Sequence, residues 1–308
     1  MRLIFAGNPE LAVPSLRAVS SSVVAVLTNP DKSSGRHRSL EAMAVAAAAQ
    51  QWLPPHAILK VEHLKAQERA LIAAFKADLL VSFAFGHIFG PKFLALFPYG
   101  GINIHPSLLP LYRGPTPIQQ TILNRDSIAG ITIQKIALEV DAGDILYQQT
   151  IPLSGRETTA CLSETVAQSA AAVLPSVIQG IESASLNGTV QDSHAVSYCT
   201  LLKKEDGLIN WTDDALTIDA RIRAFNPWPL SWTLHKGQRL FIIEAYPLAS
   251  HTTEQAGTVV GIDKKLGILI QTGAGLLAVT RLHYQYKKPL DWQDFLNGSR
   301  NVIGTVLE

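Results

Sequence analysis

The residues best equipped for chemistry are an amide and an imidazole at the end of one predicted strand, with a carboxylate further along the chain. Asn103 and His105 sit two apart in Gly101-Ile-Asn-Ile-His105, with apolar residues between and before them. Side chains two apart on a strand share a face, so the amide and the imidazole point the same way. Pro106 cannot donate to a central ladder, so the strand should end there and leave that face open. Asp141 follows in Asp141-Ala-Gly-Asp144, after a second strand-like run. An amide, an imidazole and a carboxylate brought together at a strand end supply what acyl transfer to an amine needs. Taken singly, His105 also reads as a loop-capping residue, and Asp141-Ala-Gly143 reads as a turn, because Asp and Gly favour turn geometry.

The elements that must position these groups are legible as an alternation. Residues 2–6, 23–28, 79–83, 101–105 and 131–136 are short apolar or β-branched runs separated by helix-compatible stretches. That pattern predicts βα units around a mostly parallel, Rossmann-like sheet. Ligands in such sheets lie beyond the carboxyl ends of strands, and Phe83 and His105 mark two of those ends. The first strand leads into Gly7-Asn8-Pro9, which lacks the three-glycine dinucleotide fingerprint. Ala42–Gln51 is alanine-rich and helical by propensity. Thr116-Pro117-Ile-Gln119 offers an N-cap, a first-turn proline and a capping-box partner. Residues 158–180 predict a long helix, which Pro175 should kink or end early.

The composition turns polar at 183–205, which predicts a linker between a domain at 1–182 and a second at 206–308. The second opens with a helix from Asp213 to Phe225, with Thr212 as N-cap and Ile218, Ile222 and Phe225 on one face. Short strands then follow, with turns at Lys236-Gly237, Asp263-Lys-Lys265 and Thr272-Gly-Ala-Gly275. Such spacing predicts a small closed or nearly closed β-barrel.

A chain of 308 residues exceeds the size at which one core stops growing, in keeping with two domains. Apolar content of 47% and charged content of 17% describe a folded chain rather than a disordered one. A run such as Leu79–Phe83 is far too short to span a bilayer, which needs about 20 residues. The N-terminus enters a strand at once and leaves no room for a signal core. Cys161 and Cys199 have no metal or redox spacing, so a reduced cytoplasmic compartment is expected; a monomer with no metal and no membrane contact is expected as well. Net charge of +1 means that any nucleic-acid footprint must be a local patch.

Four blocks in order carry a family resemblance: Phe5-Ala-Gly-Asn-Pro9, Asn103-Ile-His105 with Ser107-Leu-Leu-Pro110, Asp141-Ala-Gly-Asp144, and Ile222-Arg-Ala-Phe-Asn-Pro-Trp-Pro229. Over essentially its whole length the chain resembles the formyltransferases that use 10-formyltetrahydrofolate. The second half narrows the resemblance to the branch that formylates initiator methionyl-tRNA. It implies an OB-like barrel for the second domain. It implies that Asn103 and His105 stabilise the oxyanion, while Asp141 orients His105 and relays the proton. It places the folate against Phe85, Gly86, His87, Ile88, Ser107, Leu108, Leu109, Pro110 and Asp144, although His87 and Asp144 also read as turn residues. It assigns tRNA contact to Arg36 in the basic loop 31–38, with Arg38 beside it; Lys203 and Lys204 are further candidates for phosphate contact. Trp228 reads as an apolar payload packing the second domain. The chain departs from the family after Arg36, with Glu41-Ala-Met-Ala-Val-Ala, and at Lys135 and Ala137. The catalytic trio alone would equally serve a 10-formyltetrahydrofolate hydrolase or a formyltransferase acting on a sugar or purine precursor.

Overall fold

The computed structural model describes all residues except 35–38, 251 and 300–301, with backbone only at 32–34 and 39. The chain divides into two compact units. The first comprises 1–117, 128–152 and 163–200; the second comprises 118–127, 153–162 and 201–308.

Strands of the first unit are β1 (Leu3–Gly7), β2 (Val23–Thr28), β3 (Lys32–Ser34), β4 (Ser39–Glu41), β5 (Ile58–Lys60), β6 (Leu79–Phe83), β7 (Gly101–His105), β8 (Ile128–Lys135) and β9 (Ile145–Pro152). Among the described residues, seven of them form one sheet in the order β5-β2-β1-β6-β7-β8-β9, and β3 pairs β4 apart from it. Pairing is parallel from β5 to β7 and antiparallel across β8 and β9. β1 and β6 are buried at every position, which is why they read as near-continuous apolar runs instead of alternating ones. Strands β5 and β9 were not anticipated; β9 alternates too weakly to stand out from its loop.

Helices α1 (Val13–Ala18), α2 (Ala44–Ala49), α3 (Ala66–Ala73), α4 (Pro91–Leu94), α5 (Pro117–Leu123) and α6 (Thr159–Glu182) follow in chain order. An early end at Pro175 is corrected, because α6 continues through it to Glu182. Leu162, Val166, Ala170, Leu174, Val177 and Ile178 are all buried. That continuous stripe outweighs the one hydrogen bond a proline removes. At 24 residues α6 is long and apolar enough by composition to cross a bilayer, yet its stripe is that of a helix laid on a core.

The second unit holds α7 (Ala215–Ala224), β10 (Ser231–His235), β11 (Gln238–Leu248), β12 (Val259–Asp263), β13 (Gly267–Gln271), β14 (Leu276–Tyr284), β15 (Leu290–Asp291) and α8 (Trp292–Gly298). Its antiparallel sheet runs β10-β11-β14-β13-β12, with β15 on β14. Residues 305–308 bridge the two edges: Val259 N–H donates to Thr305, while Leu234 and Glu308 exchange backbone bonds. The result is a nearly closed barrel, and Ile218 and Ile222 of α7 join its core with Leu240, Ile242, Leu277 and Val279. The expected architecture, a mostly parallel sheet followed by a small β-barrel, is borne out. The expected cap is corrected: Asp214, not Thr212, accepts the Thr217 N–H at 2.9 Å. Thr212 instead donates its hydroxyl to Asn210.

Candidate active site

β7 lies between β6 and β8, so its register decides what stands beside Asn103 and His105. Asn103 faces Gln134 across the antiparallel ladder, and His105 faces Thr132. Cross-strand partners share a face, so the pairing puts a second amide next to Asn103. No local signal reveals this, because register is a property of two strands.

Asp141 reaches the same face from the loop joining β8 to β9. Its Oδ1 accepts from Gln134 Nε2 at 3.0 Å and from Asn103 Nδ2 at 3.3 Å. Its Oδ2 accepts the Gly114 N–H at 2.9 Å and lies 3.5 Å from His105 Nδ1. The structure therefore brings Asn103, His105 and Asp141 together. Two glycines make the approach possible. A Cβ on Gly143 would stand 1.7 Å from the Lys135 carbonyl oxygen, and one on Gly114 would stand 2.5 Å from that of Cys199. Asp141 itself adopts φ +54°, a left-handed conformation that a non-glycine residue holds only where its surroundings over-determine it.

His105 is 3% exposed, and its other nitrogen, Nε2, lies 2.9 Å from the Tyr112 carbonyl oxygen. Both ring nitrogens thus face acceptors. Burial pushes its pKa below the usual histidine value, with the Asp141 charge and the Tyr112 carbonyl opposing that shift. A neutral imidazole has one N–H for these two acceptors, whereas a second proton lets it donate to both. Opposed tendencies of this kind suit a group that takes and returns a proton. Asn103 and Asp141 are the partly exposed members of the trio.

The remaining anticipated residues fall around this centre. Ser107–Pro110 is stapled to the sheet: Thr132 Oγ1 donates to Ser107 O at 2.7 Å and accepts from Leu109 N at 3.1 Å, while Gln148 donates to Leu109 O at 2.7 Å. Phe85–Ile88 follows β6, the parallel neighbour of β7, so it leaves the sheet at the same edge. Phe85, Phe89, Phe93 and Phe97 stack in sequence with ring centroids 5.2–5.7 Å apart and anchor that segment, while Ile88 stays 72% exposed. Asn8, part of the first of the four blocks, is given no role by motif reading. Its amide donates to Phe85 O, and its oxygen accepts Asn29 N–H at 2.7 Å, tying the ends of three strands. His87 Nε2 lies 2.7 Å from Asn29 Oδ1, and burial lowers the His87 pKa, with His63 adding to the effect. Asp144 is paired with Lys135, one of the departures from the family pattern, at 3.3 Å.

The stretch 183–205 is not loose chain as far as Thr200, which closes the first unit. Thr189 bridges Ile145, Tyr198 bridges Arg113, and Gln191 is buried beneath the Asp141 loop. Arg113 and Gln191 were missed because nothing in their neighbouring sequence marks them. Cys199 lies buried under Gly114, and burial raises its pKa. Lys203 and Lys204 are exposed, whereas Arg36 and Arg38 lie outside the described residues. Trp228, read as an apolar payload packing the second domain, is 50% exposed, so only part of its surface is covered.

Residues 9–178 match the formyl transferase family, and residues 201–300 match the formyl transferase C-terminal domain. The chain is 45% identical to a methionyl-tRNA formyltransferase of Treponema denticola, covering 98% of each chain. It is 44% identical to one from Treponema pallidum, covering 97% of each. In fold it resembles HypX of Aquifex aeolicus, solved in complex with tetrahydrofolic acid, with a TM-score of 0.65 at 18% identity over 98% of this chain and 48% of that one. The chain belongs to the formyl transferase family.

Proposed function

We propose that this chain transfers the formyl group of 10-formyltetrahydrofolate to the α-amino group of methionine on charged initiator tRNA. The observation that carries the reading is 45% identity over 98% of the chain to a methionyl-tRNA formyltransferase, in a chain that gathers Asn103 and His105 at the Asp141 carboxylate. In the reaction the amine attacks the formyl carbon, a C–N bond forms to methionine, and the bond to the folate N10 breaks. Asn103 Nδ2 donates to the formyl oxygen as negative charge develops there; such a donor is worth about 10²–10³ in rate. His105 takes the amine proton through Asp141, since a second proton satisfies both of its acceptors. Asp141, the more exposed partner, relays it towards the departing N10, directly or through a water.

Phe85–Ile88, Ser107–Pro110 and Asp144 hold the folate, with the exposed Ile88 offering an apolar face for a planar ring system. The first domain performs the chemistry. The second, with Lys203, Lys204 and the Arg36–Arg38 loop of the first, engages tRNA phosphates. Replacing Arg36 with Ala should lower the salt slope of tRNA binding by about one. A cytoplasmic monomer without membrane contact completes the reading.

The test is a labelled formyl-transfer assay with initiator Met-tRNA, elongator Met-tRNA or no acceptor. Transfer should require the initiator and should collapse in His105→Ala. Release of formate without acceptor, or equal turnover by wild type and the variant, overturns the proposal.

A further inference from the structure

The left-handed Asp141 is held from a segment 50 residues away in sequence. Gln191, 8% exposed, donates Nε2 to the backbone carbonyls of Asp141 and Gly143, both at 2.8 Å. The same amide nitrogen lies 3.2 Å from Gln134 Oε1, and Gln134 Nε2 in turn holds the Asp141 carboxylate at 3.0 Å. Gln191 Oε1 accepts from Arg113 Nε at 3.1 Å and from Nη2 at 2.9 Å. One amide thus holds the loop's backbone, a second holds its carboxylate, and the two are keyed to each other.

We infer that Gln191 is a positioning residue for the formyl-transfer site, clamping the backbone of Asp141 and Gly143 so that the carboxylate stays on Asn103 and His105. Its kinetic consequence rests on the function proposed above; its geometric consequence does not. Glutamine suits the place because it must donate to the loop and accept from a buried guanidinium at once. A glutamate would keep Arg113 paired but turn an oxygen towards two carbonyls. A methionine would fill the volume and do neither.

Those two substitutions separate the clamp from a mere anchor for residues 183–200. Gln191→Glu should still fold, with a lowered Tm because two buried carbonyls lose their donor, and lose kcat per folded molecule by about 10²-fold, the cost of an ångström-scale misplacement. KM for the folate should stay within about twofold, since uniform binding is untouched. Wild-type kcat in this variant would mean that the Arg113 anchor is all that matters, and the inference falls. Gln191→Met adds no charge. Once the Asp141 carboxylate drifts from the ring, burial dominates, and the His105 titration followed by NMR moves to lower pH than in wild type. An unmoved titration overturns the clamp whether or not wild type transfers formyl. A shifted titration in a protein whose wild type is inactive would uphold the clamp and sink the proposed reaction alone.

Discussion

Each compact unit holds an aspartate in a web of polar contacts, and the two are held in opposite ways. Asp219 on α7 sits between two guanidinium groups, 2.8 Å from Arg156 Nη1 and 2.8 Å from Arg223 Nε, with its side chain 4% exposed. The arginines are themselves fixed: Arg156 donates to Ala245 O and stacks 4.4 Å over Tyr246, and Arg223 donates to Glu157 O. Its backbone is ordinary helix. Asp141, 11% exposed, is met by neutral amides, one peptide N–H and an imidazole, on a left-handed backbone. Guanidinium groups do not give up their protons, so the first arrangement can only hold structure together. The second leaves a proton free to move between partners, and its strained backbone marks where the fold gives up local stability for geometry.

The sharpest way to break this contrast is Asp141→Asn, which keeps the size and loses the acid. Turnover in the formyl-transfer assay should fall about 10³-fold or more, while thermal unfolding barely moves. Turnover within a factor of about ten would place Asp141 beside Asp219 as a structural group. The converse is Asp219→Ala, which leaves Arg223 buried without its carboxylate and should cost about 3 kcal/mol. Urea unfolding reads that loss, and turnover per folded molecule should be unchanged; a loss of turnover without a loss of stability would reverse the assignment.

A pH series sharpens the comparison further. Burial sets the folded His105 pKa below the unfolded value of about 6.5, against the opposing pull of Asp141 and the Tyr112 carbonyl. The unfolded chain therefore binds more protons at this group. Its contribution to stability is full above pH ~6.5 and is lost as pH falls through that value towards the lowered one. Unfolding midpoints between about pH 5 and 8 should show a shallower acid-side decline in His105→Asn; an equally steep decline would remove His105 as its source. The smallest effect belongs to the exposed Lys135–Asp144 pair. Lys135→Ala should change stability by less than about 1 kcal/mol, and less again in high salt. A several-fold change in folate KM with that variant would instead tie this departure from the family pattern to the substrate.

How much could be read in advance depends on whether a feature is local. The β7 alternation around Asn103 and His105, its stop at Pro106, and the barrel's turns were legible because side-chain direction and turn chemistry depend on a few neighbouring residues. Lys236 and Gly237, both with positive φ between β10 and β11, are such a case. Pro175 and Thr212 misled for a related reason: a local propensity was outweighed by the buried stripe of α6 and by Asp214 two residues further on. Gln134, Arg113 and Gln191 could not be found locally at all. Each acquires its role from strand register or from a contact tens of residues away.

By itself, the sequence determined the alternation of strands and helices, the shared face of Asn103 and His105, and the kind of chemistry an amide, an imidazole and a carboxylate can perform. These follow from backbone periodicity and functional-group identity. Only the tertiary structure decided that both nitrogens of His105 face acceptors, that Asp141 is bent into a left-handed turn, and that a buried glutamine from the segment after α6 holds it there. Those are long-range facts, because burial and hydrogen-bond satisfaction belong to the packed chain and to no stretch of it alone.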